Sequence, residues 1–317
     1  MLSRRAIVGL GLAAGAGGFA VHNAYIADLE KARARIELGS KLMSSRFGPL
    51  EYAIAGTGTP VLMIHGTGGG FDQGLAFAKR LSASGFQVIA PSRFGYLRSK
   101  FPEEPSSENQ ADAFVDLLDE LRVDQVAVLG GSAGALSALQ FAIRHPKRCA
   151  VLVPIVPATY APDRSGQPPP PALTLAIIEH ALKSDFLFWL GLVTAPSAMV
   201  SALLATDPDL VARASTAEQA RVHKILWNIF PVSARSLGLI NDAKLTFNPA
   251  RMALNEIMAP TLTISLDDDR FGTIAAAKYI SEQVPGARLI SYPSGGHVWV
   301  GHDAELFAQV DKFIRSH

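Results

Sequence analysis

Six short apolar runs recur along the chain: VLMIH (61–65), QVIA (87–90), QVAVL (125–129), Cys149 to Ile155, TLTISL (261–266) and ARLISY (287–292). They suit strands buried on both faces, which is the pattern of a parallel sheet covered by helices. The covering helices are legible between them. Ala111, Phe114, Leu118 and Leu121 form a stripe behind Ser106 or Ser107 as cap, and Leu306, Phe307, Val310, Phe313 and Ile314 form another near the C-terminus. Lys41 to Ala55 reads as a β-hairpin ahead of the first run. The predicted fold is therefore α/β, a mostly parallel sheet flanked by helices. At 317 residues, 49% of them hydrophobic and 18% charged, the chain can bury one large core.

One interval breaks the alternation. From about Tyr160 to Met258 no strand pattern occurs. QPPPP (167–171) opens the apolar helical segments ALTLAIIEHALK (172–183), DFLFWLGLV (185–193) and ARVHKILWNIF (220–230). We expect a helical cap over residues 161–258, inserted into a core made of 41–160 and 259–317. It would lie over the carboxyl edge of the sheet, where open α/β sheets bind ligands. Its Phe186, Phe188, Trp189, Leu190 and Trp227 suggest a lipophilic part of the substrate, although the core of a cap has the same composition.

Directly behind the third run stands GGSAG: Gly130, Gly131, Ser132, Ala133 and Gly134, followed by the helical segment ALSALQFAIR. A serine on a strand-to-helix turn, with glycine two positions to either side, fits the nucleophile elbow, whose strained turn lifts the hydroxyl above the sheet edge. Side chains at Gly130 and Gly134 would meet the neighbouring helix and strand. A hydroxyl needs a base, and the base needs a group that orients it. Of eight histidines, His297 in SGGHVWVGH follows the last strand candidate and precedes the final helix, so its loop overhangs the same edge. His145 should point away from that edge, His180 and His223 belong to the cap, and His22 and His317 are terminal. His302 stands five residues beyond His297 with Gly301 between, which is not the spacing of two zinc ligands on one helical face. Asp267, Asp268 and Asp269 follow TLTISL, giving the chain order serine, aspartate, histidine.

With these motifs in place, residues 40 to 317 resemble the α/β-hydrolase family. That resemblance implies Asp269 as the acid, with Asp268 as fallback, because Pro260, Thr261 and Leu262 match the family's strand while Leu266 replaces a usual glycine. It also implies an oxyanion hole formed by the amides of Ala133 and of Thr67, with Gly68 next in line, in the HGTGGG loop (65–70). His65 would brace that loop. A phosphate-binding role does not fit it: the glycine spacing matches neither GxGxxG nor a GxxxxGK[ST] loop, and no lysine follows.

The expected activity is a serine hydrolase that cleaves an ester or related carbonyl substrate through an acyl-enzyme, with neither cofactor nor metal. Two alternatives are carried. DDDRFG (267–272) and SGGHVWVGH also resemble hydrolases that cleave the carbon–carbon bond of dienolic ring-fission products, although those usually carry asparagine and methionine where Gly131 and Ala133 stand. A non-catalytic ligand-binding relative is the other. Dehalogenase and epoxide-hydrolase chemistry need a carboxylate at the elbow.

A net charge of +1 offers no field for nucleic acid and favours a small-molecule partner. The single cysteine, Cys149, excludes an internal disulfide and a cysteine-based zinc site. At the N-terminus Arg4 and Arg5 precede an uncharged run from Ala6 to Val21, the layout of a signal peptide or membrane anchor over residues 1–26, with a twin-arginine-like opening. A helical linker over 27–40 would follow. Export or membrane association through this segment is the expectation, and an ordinary helix packed on the domain is the alternative. Oligomeric state is not legible.

Overall fold

A computed structural model describes residues 4–163 and 183–317, with side chains from residue 18 onward. Eight strands form one sheet: β1 (Lys41–Ser45), β2 (Gly48–Ala55), β3 (Thr59–Ile64), β4 (Phe86–Pro91), β5 (Val126–Gly131), β6 (Cys149–Ile155), β7 (Leu262–Leu266) and β8 (Arg288–Tyr292). The hairpin β1–β2 lies antiparallel at one edge, β2 pairs antiparallel with β4, and the remaining neighbours are parallel in the order β4-β3-β5-β6-β7-β8. All six expected apolar runs are strands, so their carboxyl ends share one edge.

Alternation along each strand divides the core between two faces. Leu62, Ile64 and Val128 pack with Phe114 and Leu117 of α4 (Ser107–Glu120), and with Leu139 and Phe141 of α5 (Gly134–Arg144). Val61, Met63, Leu129 and Val153 pack on the other face, against Leu81 of α3 (Lys79–Ala83) and Phe307 and Val310 of α12 (Asp303–Arg315). Short α2 (Phe71–Phe77) precedes α3, and α11 (Thr273–Gln283) joins β7 to β8. Ser106 is the cap of α4, accepting from the Asn109 amide at 3.1 Å.

Among the described residues the insertion between β6 and β7 is helical. It comprises α6 (Asp185–Thr194), α7 (Pro196–Leu204), α8 (Pro208–Arg213), α9 (Thr216–Trp227), a 3₁₀ turn at Ser233–Arg235, α10 (Ser236–Phe247) and a second 3₁₀ turn at Leu254–Glu256. QPPPP, most of ALTLAIIEHALK, and His180 fall outside the described residues.

The N-terminal helix α1 runs unbroken from Arg4 to Glu37, so the sequence-based boundary at residue 26 falls inside it. Its second half is docked. Leu29 and Ala32 are buried in one cluster with Trp189, Leu226 and Phe230 of the cap, Tyr25 packs edge-on to Phe186 and Trp189, and the Trp189 indole donates to Asp28 at 2.8 Å. Phe19 and Val21 are exposed. Among the described residues no single helix is long and apolar enough to cross a membrane.

Candidate active site

The elbow is built by the β5–α5 turn. Ser132 takes a left-handed φ of +51°, a strained value for a residue with a side chain. The turn is anchored by the Ser132 amide on Ile155 O (2.9 Å) and by the Ala158 amide on Ser132 O (3.1 Å). A Cβ on Gly130 would stand 2.7 Å from the Ala138 Cβ, and one on Gly134 would stand 2.5 Å from His65 O and 2.6 Å from Ile64 O. The two outer glycines thus let helix and strand approach closely enough to form the turn.

Three parallel strands bring three side chains to one point. Ser132 follows β5, Asp269 follows β7 and His297 follows β8. His297 Nε2 is 2.9 Å from Ser132 Oγ, and Nδ1 is 2.8 Å from Asp269 Oδ2. Asp269 and His297 are buried, and the Phe271 ring stands edge-on to the imidazole at 4.8 Å. Asp269 is held by more than the histidine. Its Oδ1 accepts the Phe271 amide at 2.9 Å, and its Oδ2 accepts the Thr273 hydroxyl, itself 2.9 Å from Ser265 Oγ. Burial alone would raise the pKa of this carboxyl, but the charge of His297 and the hydrogen bonds from His297, Thr273 and Phe271 outweigh it and hold it below its ordinary value.

Asp268 has a different position. Its carboxylate accepts the amides of Gly295 (3.1 Å) and Gly296 (2.7 Å) and the Ser294 hydroxyl (2.8 Å), all in the loop that carries His297. Asp267 is exposed. The other histidines are elsewhere: His145 pairs with Asp112 at 2.7 Å, His223 is exposed on α9, and His302 stands just before α12 with its ring stacked on Tyr292 at 4.3 Å.

The HGTGGG loop is pinned at several polar backbone groups. Gly66 N–H donates to Gln73 Oε1 (3.0 Å), and Gly66 O accepts from His65 Nδ1 (2.7 Å) and the Gly69 amide (3.2 Å). Burial, followed by the Arg93 charge, pushes the His65 imidazole well below its ordinary pKa, so it is neutral; its Nε2 accepts from the Arg93 amide at 2.9 Å. Gly68 N–H donates to Tyr96 Oη (3.2 Å), whose own proton goes to Asp242 Oδ2 at 2.5 Å. Asp242 of the cap is also gripped by both terminal nitrogens of Arg93. The Gly68 amide is therefore engaged away from the serine, while the amides of Thr67 and Ala133 have no hydrogen-bond acceptor among the described residues.

A cavity of about 280 Å³ opens on Ser132 and His297. The core supplies Thr67, Phe77, Val156 and Trp299 to its wall, and the cap supplies Leu203, Leu204, Ile225, Leu239, Ala243 and Thr246. The cap aromatics singled out from sequence do not line it. Phe188 and Trp189 fill the core of the cap beneath α1, Trp227 packs against that cluster, and Phe186 and Leu190 face outward, because the apolar side of α6 meets α1 rather than the serine. Lipophilicity at the site comes instead from aliphatic residues of α7, α9 and α10, whose sequence does not distinguish them from packing residues. No arginine or lysine is among the residues described in the wall. Cys149 is buried, its thiol pushed up to about 12 by burial, and takes no part.

A serine hydroxyl on a strained turn, hydrogen-bonded to an imidazole that is hydrogen-bonded to a buried carboxylate, defines the class of hydrolases that act through an activated serine. The chain belongs to the α/β hydrolase fold family, whose sequence model matches residues 59–300, and it is a hydrolase. It is similar to the uncharacterized hydrolase YcgS of Bacillus subtilis, at 29% identity over 81% of this chain and 91% of that one. It is also similar to a 2-hydroxy-6-oxononadienedioate/2-hydroxy-6-oxononatrienedioate hydrolase of Paraburkholderia xenovorans, at 28% identity over 81% of this chain and 87% of that one. Among solved structures, one titled a membrane phospholipase A aligns with a TM-score of 0.64 at 20% identity over 98% of this chain and 97% of that one, a likeness of fold.

Proposed function

We propose that this hydrolase cleaves neutral esters with an apolar acyl group. The carrying observation is a serine–histidine–aspartate array opening on a cavity with a largely apolar wall and no described cation. Ser132 Oγ attacks the carbonyl carbon as His297 Nε2 takes its proton, and Asp269 stabilises the resulting imidazolium. The amides of Thr67 and Ala133 receive the oxyanion, where one donor is worth about 2.7–4 kcal/mol. Collapse passes the proton from His297 to the leaving alcohol and leaves an acyl group on Ser132, which water, activated by the same imidazole, removes.

Relatives named for dienedioate substrates support carbon–carbon bond hydrolysis as the second reading. A substrate bearing carboxylates calls for a cation at its binding site, and the described wall lacks one, so the ester reading is preferred. Rates on p-nitrophenyl esters of increasing acyl length, set beside a 2-hydroxy-6-oxo-dienoate, test the choice. Faster turnover of the dienoate overturns it, and failure of a fluorophosphonate to label Ser132 in folded protein overturns catalysis altogether.

We also propose that the N-terminal segment takes the protein to or across a membrane. Two observations support this: Phe19 and Val21 are exposed at the end of the uncharged run of α1, and Phe186, Leu187, Leu190 and Val193 of α6 are exposed where Tyr25 docks. A lipid ester would then lie within reach of the cavity. Blotting membrane and soluble fractions, with N-terminal sequencing of the mature protein, tests this.

A further inference from the structure

The loop that offers Thr67 N–H is fastened from behind by a buried ion cluster reaching back to the N-terminal helix. Arg235, on the 3₁₀ turn of the cap, is fully buried. Its Nη1 donates to Gly69 O, and its Nη2 and Nη1 hold the two oxygens of Asp72 at 2.8 and 3.2 Å. Its Nε–H has no partner among the described residues, so the contacts that orient the guanidinium there are those to the loop and Asp72. There is no slack around it: a Cβ on Gly70 would stand 2.8 Å from Arg235 Nη1. The same Asp72 carboxylate receives Arg35 Nε from α1 at 3.4 Å, and Arg35 Nη2 donates to Phe230 O and, at 3.3 Å, to Asn228 O of the cap. Two guanidiniums thus share one carboxylate at the start of α2, immediately after the HGTGGG loop. Helix, loop and cap meet there.

We propose that Arg35, alone among the α1 residues, positions the oxyanion loop, acting through Asp72 and Arg235, so that loosening Arg35 slows turnover without weakening substrate binding. The proposal rests on the serine-hydrolase reading. Because Gly68 N–H is spent on Tyr96 and Gly66 N–H on Gln73, Thr67 N–H is the loop amide offered at the cavity wall, and a small displacement of that donor acts on the transition state more than on the bound ester. Arg35 touches no reacting atom, so it is a positioning residue.

Arg35→Gln, Arg35→Lys and Asp28→Asn in the full chain test this. Asp28→Asn removes the charge that strengthens the Trp189 contact of the same helix but leaves the cluster intact. Steady-state rates on p-nitrophenyl butyrate and inhibition by a boronic acid that mimics the tetrahedral species are the readouts. Arg35→Gln should lower kcat by about tenfold to a hundredfold with KM within about twofold, and weaken the boronate by a similar factor; loss of a whole donor costs about 10²–10³. Asp28→Asn should change kcat by less than about twofold whatever it does to Tm. An unchanged kcat in folded Arg35→Gln, a rise in KM in place of the fall in kcat, or equal kcat losses in Arg35→Gln and Asp28→Asn overturns the proposal. Should Arg35→Gln not fold, Arg35→Lys decides: a lysine cannot grip Asp72 and the Phe230 carbonyl together, so kcat must fall again, and wild-type kcat overturns it. Wild type that neither hydrolyses the ester nor takes up a fluorophosphonate at Ser132 defeats the hydrolase reading itself, a result independent of the variants.

Discussion

Asp268 and Asp269 are adjacent in the chain, yet they fasten two different parts of one loop. Asp269 holds the His297 imidazole at 2.8 Å, and Asp268 holds the backbone amides of Gly295 and Gly296 that deliver it. Their substitutions should therefore part in kind. Asp269→Asn leaves the shape but loses the stabilised imidazolium, and kcat should fall by roughly 10⁴-fold. Asp268→Asn keeps the imidazole's partner and loosens its loop, so kcat should fall by about tenfold to a hundredfold, in line with the cost of misplacing a catalytic group. Turnover of one activated ester by both variants checks this, and equal losses would reverse the assignment.

The pH dependence of stability carries a sign. Because Asp269 is held below its ordinary pKa when folded, it binds fewer protons there than in the unfolded chain, where its value is about 3.9. Its stabilising contribution is fully present above that unfolded value and is lost as pH falls through the lower folded one. The gap in urea-unfolding stability between wild type and Asp269→Asn should thus hold steady above about pH 5 and close below about pH 4. A gap that widens on acidification contradicts the direction of the shift.

Removal of the Tyr96 hydroxyl strands the Gly68 amide in a buried place. Tyr96→Phe should cost about 1–3 kcal/mol of unfolding free energy, the penalty for a buried donor left unpaired. Asp242 keeps both Arg93 contacts, so the cap stays attached. Chemical denaturation of the purified variant measures the loss.

Gly134→Ala tests the elbow's packing. The added methyl would meet two carbonyl oxygens of backbone, which cannot rotate away. Destabilisation of about 1–3 kcal/mol or more is expected from such overpacking, read as a fall in denaturation midpoint. Gly272→Ala is a useful contrast in space though not in conformation: nothing stands within 4 Å of its Cβ position, but its φ is +66°. It should lose about 1 kcal/mol, the strain of a left-handed backbone alone.

The sheet, the elbow and the positions of Ser132 and His297 were legible because each has a local signature, whereas Asp269 was singled out among three aspartates only by the family resemblance. A doubly buried strand shows as an apolar run, and a residue just past its carboxyl end is placed by the parallel pairing. What escaped is held by pairs far apart in the chain. Arg235 with Asp72, Arg35 with Asp72 and Tyr96 with Asp242 are separated by 163, 37 and 146 positions, and a single arginine or aspartate carries no periodicity to announce its partner. The aromatic cap residues misled for a related reason. Phe188 and Trp189 show that a segment is buried, but not against what, and here the answer is α1. The role of Asp268 was hidden by its neighbour, since three consecutive aspartates offer one charge pattern and several geometries.

All three reacting side chains hang from the sheet, whereas the insertion furnishes wall and fastenings but no reacting group. The division makes this chain a natural host for grafting: a foreign cap could retune which molecules are accepted while the proton relay stays as it is. Any such transplant must keep an arginine at 235 and an aspartate at 242, for these two stitches fasten the exchangeable part to the loop that receives the oxyanion.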